Sequence, residues 1–376
     1  MTEHRQSRRQ LLKTAAAVAT TTPIVGALAS AEASGPKGLE IKVAGYDYDR
    51  VRAIMDGRAK IDGASVSFHY EDIYSVNQLA FGDAKTYEVS ELGLIPYVNK
   101  FVNEGFRDYT LIPVYISRVF RHRNVFVHVD SGIEKPEDLK GKRVGTPGYG
   151  MSAMTWIRGF LKDQYGVEAH DMHWIETTRS SDDGALGGSG WAAFGPNGEP
   201  RYYLPADFPL ELGPPGVDES ELLLNGGCDA LITAITPSAF LDNNPKIRRL
   251  FSDVKQTEQD YYRDTGVFPI MHVIGIRTET AEAHPWLPRA VYDMYTAAKQ
   301  RAYADMETTT SLKLTLPWVT QEFEQTRALM GDDYWPYGIQ ENKKELGLVM
   351  RYCHEQGLVN RLEDFRKMFH PSTLDT

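Results

Sequence analysis

Arg118, Arg121, His122 and Arg123 fall within the six-residue run Arg118-Val-Phe-Arg-His-Arg123, in a chain whose formal charge is −10. A knot of cations in an acidic protein suits an anion held in a pocket. Arginine's planar fork meets a carboxylate through two parallel hydrogen bonds, so Arg118 and Arg121 are the first candidates to hold a carboxylate ligand, with Arg50 next. Each arginine could equally be neutralised by a neighbour such as Asp47 or Asp49. Histidine changes charge near neutrality and is the usual proton donor there. His122 adjoins the cationic run; His272 follows Phe268-Pro269 in an apolar stretch, where a satisfied core histidine is the commoner arrangement. Tyr46, Tyr48, Tyr149 and Tyr262 are candidates to stack on or hydrogen-bond an aromatic ring, although most of the twenty tyrosines must be packing. Ser238 follows a strand and is placed to hydrogen-bond a ligand, but no base stands beside it, which argues against a nucleophile.

Several chemistries lack their residues. There is no Cys-x-x-Cys, His-Glu-x-x-His, Gly-x-Ser-x-Gly or phosphate-binding Gly-rich loop ending in Lys-Ser/Thr. His170 and His173 are close enough to share a metal but have no further ligand nearby, so they read as a surface pair and no metal is expected. Only Cys228 and Cys353 are present, too few for a disulfide framework, and both read as buried free thiols.

At the amino end, Ser7-Arg-Arg-Gln-Leu-Leu-Lys13 precedes a weakly apolar, alanine-rich stretch with several Ala-x-Ala cleavage options, which reads as a twin-arginine export signal over residues 1–33. The stretch is too short and too polar for the ~20 apolar residues that span a bilayer. Its removal moves the formal charge from −10 to −12. So acidic a protein repels nucleic acid and anionic lipid. About 340 residues remain, more than one typical domain of ~100 to 200.

These residues must be positioned by alternating strands and helices. Leu39–Ala44 alternates as a strand, and its end delivers Tyr46, Asp47, Tyr48 and Arg50 into a loop. Open α/β sheets place ligands beyond the carboxyl ends of their strands. A helix is predicted over 73–81, a strand near 88–90, a helix around 96–103, and strands over 110–115 and 124–129. Thr146-Pro-Gly-Tyr-Gly150 then opens a helix over 151–165, whose free N–H groups offer an anion site. Residues 180–216 turn rich in Gly, Pro and Ser and read as an insertion or long loop. Strands follow over 229–234 and 267–276, and the C-terminal third is mostly helical.

Several longer phrases carry a resemblance: Gly45-Tyr-Asp-Tyr-Asp-Arg50, Ser117-Arg-Val-Phe-Arg-His122, Tyr261-Tyr-Arg-Asp-Thr-Gly-Val-Phe-Pro-Ile-Met-His272, His284-Pro-Trp-Leu287 and Leu329-Met-Gly-Asp-Asp-Tyr-Trp-Pro-Tyr-Gly338. From about Leu39 to Gly357 the chain resembles the 4,5-dihydroxyphthalate decarboxylase family, a branch of the type II periplasmic solute-binding fold. Pro136-Glu-Asp-Leu-Lys-Gly-Lys-Arg-Val-Gly145 resembles exported binding proteins more widely and speaks for the fold. The resemblance implies an α/β, two-lobed type II periplasmic-binding-protein-like fold with a ligand cleft between the lobes. Lobe one would combine residues 39–129 with 270–358, lobe two would hold 130–268, and 359–376 would form a C-terminal tail.

It also implies a non-oxidative decarboxylation needing no cofactor. Arg50, Arg118 and Arg121 would hold carboxylates, with Tyr46, Asp47, Tyr149, Ser238 and Tyr262 around the substrate and His122, ahead of His272, as proton donor. The competing function is an exported receptor delivering an aromatic or other small carboxylate to an ABC importer permease. Either way the expected place is the periplasm, reached through the Tat translocase.

Overall fold

The computed structural model describes residues 38–179, 193 and 202–376; the twin-arginine segment and most of the 180–216 insertion lie outside them. Leu39–Thr376 forms one compact unit. Its strands, numbered in chain order, are β1 Leu39–Gly45, β2 Ala64–Tyr70, β3 Val89–Gly93, β4 Tyr109–Arg118, β5 Val125–His128, β6 Arg143–Thr146, β7 His173–Glu176, β8 Leu210–Leu212, β9 Ala230–Ile232, β10 Ile247–Arg249 and β11 Ile270–Arg277.

They sort into two sheets, of order β2-β1-β3-β11-β4 and β10-β5-β9-β6-β7-β8. Helices flank both, which gives the α/β, two-lobed arrangement the resemblance implies. The central strands are covered on both faces. All five residues of β3 are buried, and Ile41, Val43 and Ala44 of β1 are inaccessible to solvent.

Strand direction decides where a site can form. β1 runs parallel to β2 and β3, whereas β11 runs antiparallel to both β3 and β4. The start of β11 therefore lies beside the carboxyl end of β3, with His272 opposite Gly93, and beside the end of β4, with His272 opposite Ser117. β4 leaves the first sheet at this edge, and the chain crosses to β5 in the second sheet. The return crossing into β11 runs alongside, with the Val119 N–H donating to Pro269 O at 3.2 Å.

Local sequence missed several elements. β5, expected at the end of lobe one, belongs to the second sheet and pairs with β9 and β10. β2, β7, β10 and the helix Val254–Thr265 were not anticipated, and the Gly/Pro-rich segment contributes β8 as an edge strand beside β7. The C-terminal segment is docked: Met368 and Phe369 are buried, and Phe369 bridges Leu111 of β4. Cys228 and Cys353 are free and buried.

Candidate active site

Between the two sheets lies a cavity of about 220 Å³. Apolar cavities of ~150 Å³ take up benzene, so this one has room for a single ring with a few substituents. Gly93 and His272 of the first sheet, with Tyr46 just after β1, wall one side; Ala234 and Ile235 just after β9 and Ser152 and Ala153 at the start of the helix Ser152–Tyr165 wall another, and Arg121 and Met271 line it near the crossings. A larger cavity of about 680 Å³ sits beside the helices Ser152–Tyr165 and Lys343–Glu355, next to the amino end of β7. Its Lys162 is paired with Glu355 at 3.3 Å and Glu168 at 3.8 Å, and its buried Arg158 is held by Gln356 Oε1 at 2.7 Å and Tyr149 O at 2.7 Å.

His272 owes its aim to an irregular ladder. The β11–β4 register shifts on both sides of His272, and such irregularities re-aim side chains next to functional sites. Its Nδ1 lies 2.6 Å from Oε1 of Glu91, a β3 carboxyl that is only 1% exposed. The peptide N–H of Tyr46 donates to Glu91 Oε2 at 3.0 Å, and the Tyr48 hydroxyl donates to Oε1 at 2.9 Å. Gly45 permits this approach: a Cβ there would stand 2.7 Å from Glu91 Oε2. With the carboxylate at Nδ1, that nitrogen carries the proton and Nε2 is left for the cleft, without a partner among the described residues. The Tyr46 ring lies nearly parallel to the imidazole, 14° apart with centroids at 6.4 Å, and burial raises its phenol, keeping it neutral.

Two groups facing the cavity suit an anion. Arg121 donates through Nη1 to Ala234 O at 2.9 Å and Asn124 Oδ1 at 3.4 Å and through Nε to Met271 Sδ at 3.3 Å, which leaves Nη2 without a partner among the described residues. No ion pair engages it among the described residues. Burial, with Arg123 nearby, pushes its guanidinium down to about 10, so it remains a cation at neutral pH.

The other is the start of the helix Ser152–Tyr165, whose N-cap Met151 supplies no side-chain acceptor. The first backbone bond into the helix runs from Thr155 N–H to Met151 O at 3.1 Å, so the N–H groups of Ser152 and Ala153 stay available at the positive end of the helix dipole.

The other residues proposed from sequence stand elsewhere, each for a visible reason. Arg118 is buried away from this cavity: it donates to Phe268 O at 2.8 Å, to Pro336 O at 3.0 Å and to Asn342 Oδ1, and lies 3.8 Å from Glu345. His122 is stacked on Phe160 at 4.2 Å within an aromatic cluster, and burial pushes its imidazole down to about 4. It is neutral at physiological pH and does not line this cavity. Arg50 is sandwiched between Tyr48 at 4.0 Å and Trp335 at 4.2 Å and bonded to Ile116 O and Asp49. Asp47 is exposed beside Arg52. Tyr149 is fully buried under the Arg158 guanidinium, Tyr262 packs edge-on to Phe120 by a separate recess, and the Ser238 hydroxyl donates to Ser220. Of the site residues read from the sequence, the cleft gathers Tyr46, Arg121 and His272.

Sequence reasoning missed Glu91, Ser152 and Ala153. The available signal was a glutamate inside the otherwise uncharged strand Val89–Gly93, since a buried carboxylate needs a specific partner.

Two expected results test the reassigned residues. Arg118→Ala leaves the Glu345 carboxylate and two carbonyls without their partner, so the denaturation midpoint should fall by the equivalent of about 3 to 5 kcal/mol while ligand affinity, measured below the transition by calorimetry, is kept. A loss of affinity without loss of stability would return Arg118 to the site. For His122, the folded-state value lies below the unfolded one of ~6.5, so its contribution is present above pH ~6.5 and is lost as pH falls toward about 4. His122→Phe should flatten that acid limb by on the order of 3 kcal/mol, followed by urea unfolding at several pH values; an unchanged limb would refute it.

Comparison with known proteins adds an independent line. Residues 114–189 match the family described as NMT1/THI5 like. A 4,5-dihydroxyphthalate decarboxylase from Comamonas testosteroni is 35% identical over 343 residues, 90% of this chain and 98% of that protein. A second protein of that name, from Pseudomonas putida, is 34% identical over 225 residues, 60% of this chain and 82% of the other. Among solved structures, a periplasmic sulfonate-binding protein from Methylobacillus flagellatus superposes with a TM-score of 0.53 at 12% identity, covering 90% of this chain and 93% of that one. At that identity the likeness is one of fold.

Proposed function

Because the chain belongs to the 4,5-dihydroxyphthalate decarboxylase family, we propose that it is a carboxy-lyase that removes CO2 from a hydroxylated aromatic dicarboxylate, 4,5-dihydroxyphthalate first among candidates. One observation carries this reading: a glutamate-backed histidine and an unpaired arginine line the same ring-sized cavity.

Decarboxylation exchanges a ring-to-carboxylate bond for a ring-to-hydrogen bond and takes up one proton. A hydroxyl para to the departing group pushes electron density onto the ring carbon that bears it. Nε2–H of His272 delivers the proton to that carbon, the carbon–carbon bond breaks, its electron pair restores the aromatic ring, and CO2 leaves. The imidazole is then reprotonated from water. Glu91 holds the ring orientation and stabilises the imidazolium before transfer.

The departing carboxylate loses its charge as the bond breaks, so a tight grip on it would stabilise substrate more than transition state. Arg121 and the Ser152–Ala153 N–H groups therefore serve the retained carboxylate best. The departing one is better placed against the apolar wall formed by Ile235 and Met271.

A second reading is favoured by the shared fold with a periplasmic sulfonate-binding protein and by the Ser7–Lys13 signal: a receptor, exported by the twin-arginine route, that hands an aromatic carboxylate to an ABC importer permease. The periplasm is the proposed place of work under both. Purified protein lacking residues 1–33 is mixed with 4,5-dihydroxyphthalate, and CO2 release is followed alongside thermal stabilisation. Turnover supports the carboxy-lyase; stabilisation with no CO2 and no product sinks it and leaves the receptor.

A further inference from the structure

Tyr48 does not line the cavity, yet its hydroxyl reaches the Glu91 oxygen that His272 uses. Oε1 of Glu91 thus serves two donors, while Oε2 takes the Tyr46 N–H. The phenol is pinned in place: the Arg50 guanidinium covers its ring at 4.0 Å, and Trp335 backs Arg50 at 4.2 Å. Trp335 is itself tied by its Nε1–H to Tyr115 O at 2.9 Å. Burial and the neighbouring Glu91 raise the Tyr48 hydroxyl well above the usual phenol range, so it stays protonated and donates to Glu91.

We infer that Tyr48 is a positioning residue that shares Oε1 of Glu91 with His272 and so limits how tightly the carboxylate holds the imidazolium proton. This role rests on the carboxy-lyase reading. An undivided buried carboxylate would favour the charged ring more strongly and make it a weaker acid toward a ring carbon, whereas a general acid works best when its proton leaves readily near the operating pH. The groups facing the pair are Tyr46 and Tyr48 from the loop after β1, Arg50 beyond Tyr48, Tyr295 from the helix Leu287–Glu307, Ser117 of β4, and Arg121. Among them Tyr48 alone donates to the Glu91 oxygen that contacts the imidazole. The same arrangement accounts for the Gly45–Arg50 phrase and for Trp335, which line no part of the cavity apart from Tyr46.

The test compares wild type, Tyr48→Phe and Glu91→Gln, each labelled with ¹⁵N-histidine, reading the pH at which the His272 ring nitrogens titrate and the pH profile of kcat/KM. Tyr48→Phe should move the ring titration and the alkaline limb upward by about half to one pH unit. It should also lower plateau kcat about fivefold and leave KM within about twofold. Glu91→Gln should move the titration the opposite way. A Tyr48→Phe ring that titrates with wild type, or shifts in the same direction as Glu91→Gln, overturns the role. Absence of turnover in wild type would instead sink the carboxy-lyase reading, and the ring titration would still decide whether Tyr48 moderates Glu91.

Discussion

His272→Gln should abolish most turnover of 4,5-dihydroxyphthalate, by a factor on the order of 10² to 10⁴, while the ligand still binds. Glutamine is of similar reach and can still hydrogen-bond Glu91, so the packing beneath Tyr46 and the Gly45 cradle are kept. What it lacks is a proton it can give up at neutral pH. Steady-state rates paired with calorimetric affinity separate the two effects: kcat collapses and Kd moves little. Residual turnover within tenfold of wild type would remove His272 from the chemistry and, with His122 buried and neutral, leave the cavity without a titrating donor among the residues that line it.

The second large effect is on binding. Arg121→Ala should weaken the aromatic carboxylate by about 10- to 150-fold, the range expected for one charge-assisted hydrogen bond of ~1.5 to 3 kcal/mol. Arg121→Lys should recover only part of this, because an ammonium cannot present Nη2 while Nη1 and Nε stay bonded to Ala234 and Met271. The contrast with Arg118→Ala is the sharper measurement. One variant loses affinity and keeps most of its stability, and the other does the reverse. Wild-type affinity in Arg121→Ala, measured by calorimetry at matched ionic strength, would exclude Arg121 from the ligand site.

The pair shows how far the sequence could be read. Arg118 and Arg121 are three residues apart in one basic run and are the same side chain, so no local feature separates them. The chain leaves β4 at Arg118 and crosses between the sheets over the next few residues, turning one guanidinium inward toward Phe268, Pro336 and Asn342 and the other toward the cleft. His122 and His272 were separated in the same way: aromatic rings from Phe160, Phe251 and Tyr261 enclose the first, and a carboxylate from β3 holds the second. The helix start at Ser152 was legible because the preceding Gly-Tyr-Gly turn marks it locally, although its residues were not named for the site.

By itself, the sequence determined what short-range physics controls. Apolar periodicity, two residues for strands and 3.6 for helices, set most strands and the long helices, the long family phrases set the two-lobed α/β fold, and strand ends set where a ligand would lie. The tertiary structure alone decided which charged groups are free to act. A buried charge must find partners, and here they come from far along the chain: Glu91 meets His272 across 181 positions and Arg118 meets Asn342 across 224. The first exists only once β11 is threaded between β3 and β4, and the second only once the chain after residue 336 is packed against the end of β4, so no run of neighbouring residues records them.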